Sequence, residues 1–461
     1  VSTSAMSFAY NGYWLNLIDT PGHSDFSEDT YRTLTAVDFV VMVIDGAKGI
    51  ESQTRKLFEI CRLRDLPIIT FCNKMDRESR DFVEIIDEIQ ENLAIDVSPI
   101  NWPVGTGKEF CGCYNILEET FETIERKNRN IKINNRQIPI SKRKELQEHI
   151  NTVQYKKLFE ELEMIKTLLP DFNMESFKGG TQTPIWFGSA INSFSVKNLL
   201  EGITKYGLKP ASQKTQTRTV IPTETLVTGF VFKVQANMDK KHRDRVAFVR
   251  LCSGHFKRGM KLKHIRSGKI MTISNPIIFM ANDRDLVNEA WAGDIIGIPN
   301  HGQLRIGDSF TESENLKFTG IPSFAPELLK SVRAIDPIKA KHLEKALTQF
   351  AEEGAAKLFK PKFGSGWIVG VVGTLQFEVL ASRIKTEYDL PVAFEETQFT
   401  SARWLTGPQP QLDIFTELNK GHIALDNDGD LVFLTRIQWD IDRVIRDYPE
   451  LELNSTKEVH V

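Results

Sequence analysis

Cysteine is scarce in this chain, and long apolar runs are missing. The five cysteines among 461 residues are Cys61, Cys72, Cys111, Cys113 and Cys252. Only Cys111 and Cys113 lie close together, and a metal site needs more ligands than that pair supplies. Reduced thiols in a cytoplasmic protein are the expectation. The longest apolar run, Phe39 to Ile44, is too short to cross a bilayer and stops at Asp45. No signal peptide or transmembrane segment is expected. A strong charge of either sign is also lacking: the net charge is −3, so any attraction to nucleic acid must come from a local patch. An initial Met is absent too, and Val1 to Phe8 reads as a strand entered partway through a domain. What remains, 41% apolar and 26% charged residues, is ordinary for a globular chain. At roughly 150 residues per domain, the length suggests about three domains.

Residues 1–10 and 13–18 read as two strands around Asn11-Gly12, a favoured hairpin signal. Residues 39–45 read as a strand buried on both faces. A helix is expected from about 51 to 64, with Leu57, Ile60 and Cys61 on one face, and a further strand at 66–72. Strands alternating with helices imply a parallel sheet whose site lies at the strand C-termini. Residues 95–180 break that rhythm with a polar Asn- and Lys-rich tract, Lys127 to Arg136, and read as an insertion. A strand at 183–190 and a helix at about 196–206 then close a domain spanning 1–207. After a Thr- and Gln-containing linker, short β runs with glycine turns predict a β-barrel over 208–315. Strand, helix, strand, helix and strand from 328 to 396 predict an α+β sandwich over 316–461. Pro408 to Gln411 looks like a turn, with a strand at 431–434 and a helix around 438–447.

The run from Tyr13 ends at Asp19-Thr20-Pro21-Gly22-His23, an apolar strand stopped by a carboxylate and a Pro-Gly turn. The residue types suit a phosphate-sensing loop. Asp19 can hold Mg²⁺ through water, the Gly22 N–H can bond a terminal phosphate, and His23 can position a water. An ordinary turn after a strand would use the same residues. Asn73-Lys74-Met75-Asp76 is a stronger signal, because it follows a buried strand. A carboxylate at Asp76 can accept from guanine N1–H and the exocyclic amine together, whereas adenine offers a lone pair at N1. Asn73 can meet N7, and the Lys74 stem can lie over the base. Gly188-Ser189-Ala190 follows a third apolar strand, with N–H groups suited to guanine O6. Three ordered loops at strand ends point to GTP or GDP.

Gly105-Thr-Gly-Lys-Glu109 imitates a phosphate loop but lacks the earlier glycine, and has Glu109 where a Mg²⁺-binding hydroxyl belongs. No other G-x-x-x-x-G-K-[ST] run occurs in the chain. The phosphate cradle is expected to precede Val1.

These loops, the Asp-Thr-Pro-Gly-His form and the β-barrel and α+β pattern resemble the translational GTPases, an α/β P-loop-type GTPase domain followed by those two. Within them the chain resembles the release factor 3 family, through Ile100 to Lys108, Val372 to Leu380 and Asp389 to Val392. Elongation factor G is similar in its first half but continues for two more domains. The family's phosphate loop and most of its first switch segment have no counterpart here. The resemblance implies a GTP-hydrolysing termination factor that binds the ribosome, both rRNA and ribosomal proteins, and drives off codon-reading release factors. It implies that Asp19 orients the Mg²⁺ shell, Gly22 senses the γ-phosphate and His23 positions the attacking water. Asn73, Lys74 and Asp76 would read guanine, backed by Ser189 and Ala190. A monomer is expected. An elongation-type ribosomal GTPase and a nucleotide-independent ribosome-binding module are the alternatives.

Residues 233–269 carry twelve Lys or Arg against Asp239 and Asp244. That density suits rRNA phosphates, and a solvated barrel face would carry it equally well. His242, His255 and His264 lack metal-ligand company and read as surface residues.

Overall fold

The structure is a computed structural model describing residues 4–22, 25, 27–127, 130–236, 245–280, 283–364 and 366–458. The chain forms two compact units. One comprises Val1–Phe8, Trp14–Ala36 and Pro210–Val461, the other Ala9–Tyr13 and Val37–Lys209. The hairpin of β1 (Ser4–Tyr10) and β2 (Tyr13–Asp19) leads to the short helix α1 (Ser27–Thr33).

In the second unit β3 (Val40–Asp45), helix α2 (Ser52–Leu63), β4 (Ile68–Asn73), helix α3 (Phe82–Leu93) and β5 (Asp96–Pro99) alternate as the sequence predicts. An Asp81 side chain caps α3, and Phe82, Ile85, Ile86, Ile89 and Leu93 form its buried stripe. The described residues of the polar tract expected to break the rhythm belong to β strands. Strands β6 (Asn101–Val104), β7 (Gly112–Asn115), β8 (Thr120–Lys127) and β9 (Asn130–Pro139) make an antiparallel sheet. Helices α4 (Arg143–Gln147), α5 (Thr152–Leu168) and α6 (Met174–Lys178) follow, before β10 (Gln182–Phe187) and helix α7 (Val196–Tyr206). The parallel sheet has the order β3–β4–β10–β5, so residues 96–99 belong to it rather than to an insertion. Phe82, Trp102 and Phe187 pack edge to face, with ring centroids 5.6–5.7 Å apart.

Two expectations are corrected here. Strand β3 is not buried on both faces: it is the sheet's edge among the described residues, and Val43 is 58% exposed. Strand β2 does not join the parallel sheet either: among the described residues it pairs only with β1. The hairpin finds its burial elsewhere, because Ala5 and Ile18 pack on the core of the antiparallel domain that follows. Asn16 Nδ2 also donates to Asp294 Oδ1 at 3.0 Å.

That domain holds an eight-stranded antiparallel sheet, with Thr228–Ala236 and Arg245–Ser253 as its longest strands, around an apolar core from Val220 to Ile321. The C-terminal region repeats one plan twice. In the first half, helices α8 (Ala340–Glu352) and α9 (Thr374–Tyr388) alternate with strands Leu328–Ala334, Lys357–Pro361, Trp367–Val371 and Val392–Glu396. The fourth strand lies beside the first, then come the third and second. In the second half, α10 (Gln409–Leu418) and α11 (Gln438–Asp447) alternate with Ser401–Thr406, Ile423–Leu425, Leu431–Thr435 and Glu452–Asn454 in the same order. Lys360 and Pro361 pair with Leu425 and Ala424, fusing the halves into one eight-stranded sheet. Strand alternation sends Leu358 and Val369 to the helices and Phe359 and Ile368 to a second core shared with Trp404 and Val432. The turn expected at Pro408 is instead the start of α10, since proline is tolerated in a first helical turn.

Candidate functional site

Strands β4 and β10 run parallel, with Phe187 beside Cys72, so their C-terminal loops emerge side by side. The Asn73 side chain bridges those loops. Asn73 Oδ1 accepts from Lys74 N at 2.7 Å and from Ala190 N at 2.9 Å. Lys74 takes a left-handed backbone (φ 72°), which costs a non-glycine residue about 1–2 kcal/mol. The Asn73 bond offsets part of that cost, and Lys74 Nζ bonds Asp45 Oδ2 at 2.6 Å. Burial would raise the Asp45 carboxyl, but Lys74 and the Ala47 N–H hold it below the usual carboxylate range. Asp76 Oδ1 accepts from Ser189 Oγ at 2.5 Å, and Ser189 Oγ accepts from Asn192 Nδ2 at 2.7 Å. Asn73, Lys74, Asp76, Ser189 and Ala190 are thus brought together at one sheet end. Met75 turns its side chain fully into the core, and its N–H donates to Gly188 O at 3.1 Å.

Three supports were not recognised in the sequence. Asp45 ends the neighbouring strand in register with Asn73. Buried Asn101 donates to Phe187 O at 3.0 Å and Ser195 Oγ at 2.9 Å, and accepts from Phe187 N at 2.7 Å. Gly107, inside the rejected phosphate-loop imitation, donates its N–H towards Met75 O at 3.1 Å and Arg77 O at 3.0 Å. Its φ of +56° suits glycine, and a Cβ there would lie 2.6 Å from Glu78 Oε1. The only signal was the Ile100 to Lys108 phrase, which carried no chemistry until the loops were folded.

Asp19, Thr20, Pro21 and Gly22 belong to the other unit. Asp19 and Gly22 are exposed, Pro21 is buried, and Pro21 O lies 3.5 Å from Thr30 Oγ1. His23 lies outside the described residues. The following segment is clasped by two later regions of its own unit. Glu28 bonds Arg32 and, at 2.7 Å, Lys357. Burial would raise the Glu28 carboxyl, but these two cations outweigh it and the group stays below its ordinary range. Asp29 pairs with Lys233 at 3.1 Å, and Arg32 Nη1 donates to Gly354 O at 3.1 Å.

The basic stretch 233–269 is only partly a surface. Lys233 is buried against Asp29, and Arg250 donates to Ala36 O at 3.2 Å and Gly293 O at 2.6 Å. Arg245 bonds Glu353 at 3.1 Å, and Arg266 bonds Asp308 at 2.7 Å. Lys257, Lys261 and Lys269 are exposed, while Lys240, Lys241, His242 and Arg243 lie outside the described residues. His264 is buried rather than on the surface, 2.9 Å from Asp308. Asp426, Asp428 and Asp430 have metal-ligand spacing, but Lys457 Nζ already fills their centre at 2.5, 2.9 and 2.6 Å. Burial pushes the Cys61 and Cys72 thiols up to about 12, which keeps them protonated and unreactive. No helix among the described residues is long and apolar enough to cross a membrane.

Residues 1–208 match the family model of the elongation factor Tu GTP binding domain. Residues 226–313 match elongation factor G domain 2, and residues 318–445 match the C-terminal domain of class II release factor RF3. A crystal structure of a Thermus thermophilus protein is similar over 88% of this chain and 60% of its own length, with a TM-score of 0.68 at 20% identity. At that identity the likeness is one of fold, and this chain spans about 60% of the length of that protein.

Proposed function

The chain belongs to the translational GTPases, on the release factor 3-like side of that family, and we propose that it is a GTP-hydrolysing factor of translation termination. In this reading it binds the ribosome in the cytoplasm as a monomer and drives off a codon-reading release factor. Residues 1–207 serve as the GTP-binding domain, 208–315 as the β-barrel and 316–461 as the α+β domain. The observation that carries the nucleotide reading is the Asn73 amide, which ties the loop bearing Asp76 to the loop bearing Ser189 and Ala190. That tie sets the Asp76 carboxylate, the acceptor that guanine N1–H requires, beside the Ser189-Ala190 loop, whose Ala190 N–H would pass from Asn73 to guanine O6 when the base is bound. Asp19 would hold Mg²⁺ through water, Gly22 would bond the γ-phosphate and His23 would orient the attacking water. Loss of the γ-phosphate would then release the segment after Asp19.

Base selectivity tests the nucleotide half, measured on the 461-residue chain and on a form carrying a phosphate-loop segment ahead of Val1. Asp76→Asn should shift preference from guanine towards xanthine, because the amide presents a donor where xanthine carries O2. Unchanged GTP selectivity would remove Asp76 as the base reader. The termination half is tested by following a labelled release factor on terminated ribosomes. Faster dissociation with GTP than without it supports the reading. An effect on translocation instead would favour the elongation-type alternative, to which the elongation factor G domain 2 match lends weight. Ribosome binding indifferent to guanine nucleotides in both forms would leave a nucleotide-independent module.

A further inference from the structure

The phrase Val372 to Leu380 stands out in the sequence, and the fold gives its start an unusual neighbour. Helix α9 begins after Gly373, whose backbone has the extended geometry of an N-cap (φ −139°, ψ 159°). Glycine has no side chain to accept from the first turn. The acceptor comes from far upstream instead: Asp25 Oδ2 takes the Leu375 N–H at 3.1 Å. Gln376 Oε1 completes the turn by accepting from Val372 N at 2.7 Å and Gly373 N at 3.1 Å. The φ of Gly373 is open to any residue, so conformational freedom does not explain the glycine. Space does. A Cβ on Gly373 would lie 2.0 Å from the Asp25 carboxyl carbon and 2.3 Å from both of its oxygens.

Asp25 stands two residues after His23, and Glu28 and Arg32 of the same segment are held at Lys357 and Gly354. We propose that Asp25 is a positioning residue. By capping α9 from outside, it would tie the chain just after Gly22 to the C-terminal region. The phosphate-dependent setting of that segment and the seating of the C-terminal region then shift as one equilibrium, each biasing the other by the same free energy. The proposal rests on the reading of Asp19 to His23 as a γ-phosphate sensor.

Ribosome-stimulated turnover of the GTP-hydrolysing protein provides the test. Asp25→Ala is expected to lower kcat about tenfold, the scale of a modest misplacement, with the KM for GTP changed by less than about twofold. Asp25→Asn keeps a cap-competent oxygen and should restore most of the rate. Gly373→Ala should act like Asp25→Ala, and the two together should be no worse than either alone. Asp25→Ala combined with Gly373→Ser separates positioning from simple stability. The serine gives α9 its own cap, so protection of the Leu375 amide from hydrogen exchange should return while turnover stays low. Restored turnover in that double variant would reduce Asp25 to a structural cap and overturn the proposal. An unchanged kcat in Asp25→Ala would overturn it as well, with the GTPase reading intact. If the unsubstituted protein neither binds nor hydrolyses GTP, the GTPase reading itself fails and takes this proposal with it.

Discussion

Glu28→Ala removes a carboxylate that two buried cations share. Glu28 accepts from Lys357 Nζ at 2.7 Å and from Arg32, and the three side chains are 12%, 15% and 5% exposed. At an effective dielectric of about 20, unit charges that close attract by roughly 6 kcal/mol. Desolvation of the carboxylate takes back part of this, and removing one member of a buried pair costs about 3–5 kcal/mol because its partners are stranded. Lys357 keeps Ser323 Oγ at 2.6 Å and Arg32 keeps Gly354 O, so a loss of about 3 kcal/mol is expected. Native-state hydrogen exchange should register it locally, as faster opening of residues 27–36 and 354–361 at pH 7. Adding Lys357→Met removes one stranded cation and should recover about 1–2 kcal/mol. The pH dependence has a defined sign. The folded Glu28 carboxyl lies below its ordinary range, so its contribution is fully present above the unfolded value of about 4.3 and fades as pH falls through the lower folded one. The advantage over Glu28→Ala should therefore shrink only in acid. A loss under about 1 kcal/mol at pH 7, or a double variant equal to the sum of the singles, would refute the reasoning.

Two further outcomes follow from the site. Asn73→Ala strips the acceptor from Lys74 N and Ala190 N and leaves the left-handed Lys74 unsupported. It should destabilise the unit of residues 37–209 by about 1–2 kcal/mol in urea unfolding and weaken guanine-nucleotide binding in a titration. His23→Ala should leave nucleotide affinity near normal while slowing ribosome-stimulated hydrolysis at least ~10²-fold in single-turnover measurements. Equal turnover would remove His23 from the mechanism.

Local pattern was enough where one element decides its own structure. The spacing of Phe82, Ile85, Ile86 and Ile89 specifies a helix because 3.6-residue periodicity puts those side chains on one face. The run ending at Asn73 specifies a strand because an apolar stretch of that length stops at turn residues. The residues proposed to read the base were legible for the same reason, since Asn73 to Asp76 and Ser189-Ala190 are contiguous strings at strand ends. Periodicity failed where burial depends on a remote neighbour. The run at 39–45 is as apolar as a central strand, yet Val43 is exposed because no described strand pairs with that edge. The twelve cations of 233–269 look alike in sequence, and only folding separates Lys233 and Arg250, tied inside, from Lys257 and Lys261 at the surface.

The chain by itself therefore determined most of its elements, its family pattern and the residue types of the proposed guanine site, because those depend on neighbours within a few positions. Tertiary structure decided which groups hold the site in shape. Asp45, Asn101 and Gly107 brace the loops that follow Asn73 and Phe187 from strands and turns elsewhere in the chain. Asp25 and Gly373 fit each other across about 350 residues. A missing Cβ and a distant carboxylate form a contact only when the backbone brings them together, and no spacing in a one-dimensional string records that distance.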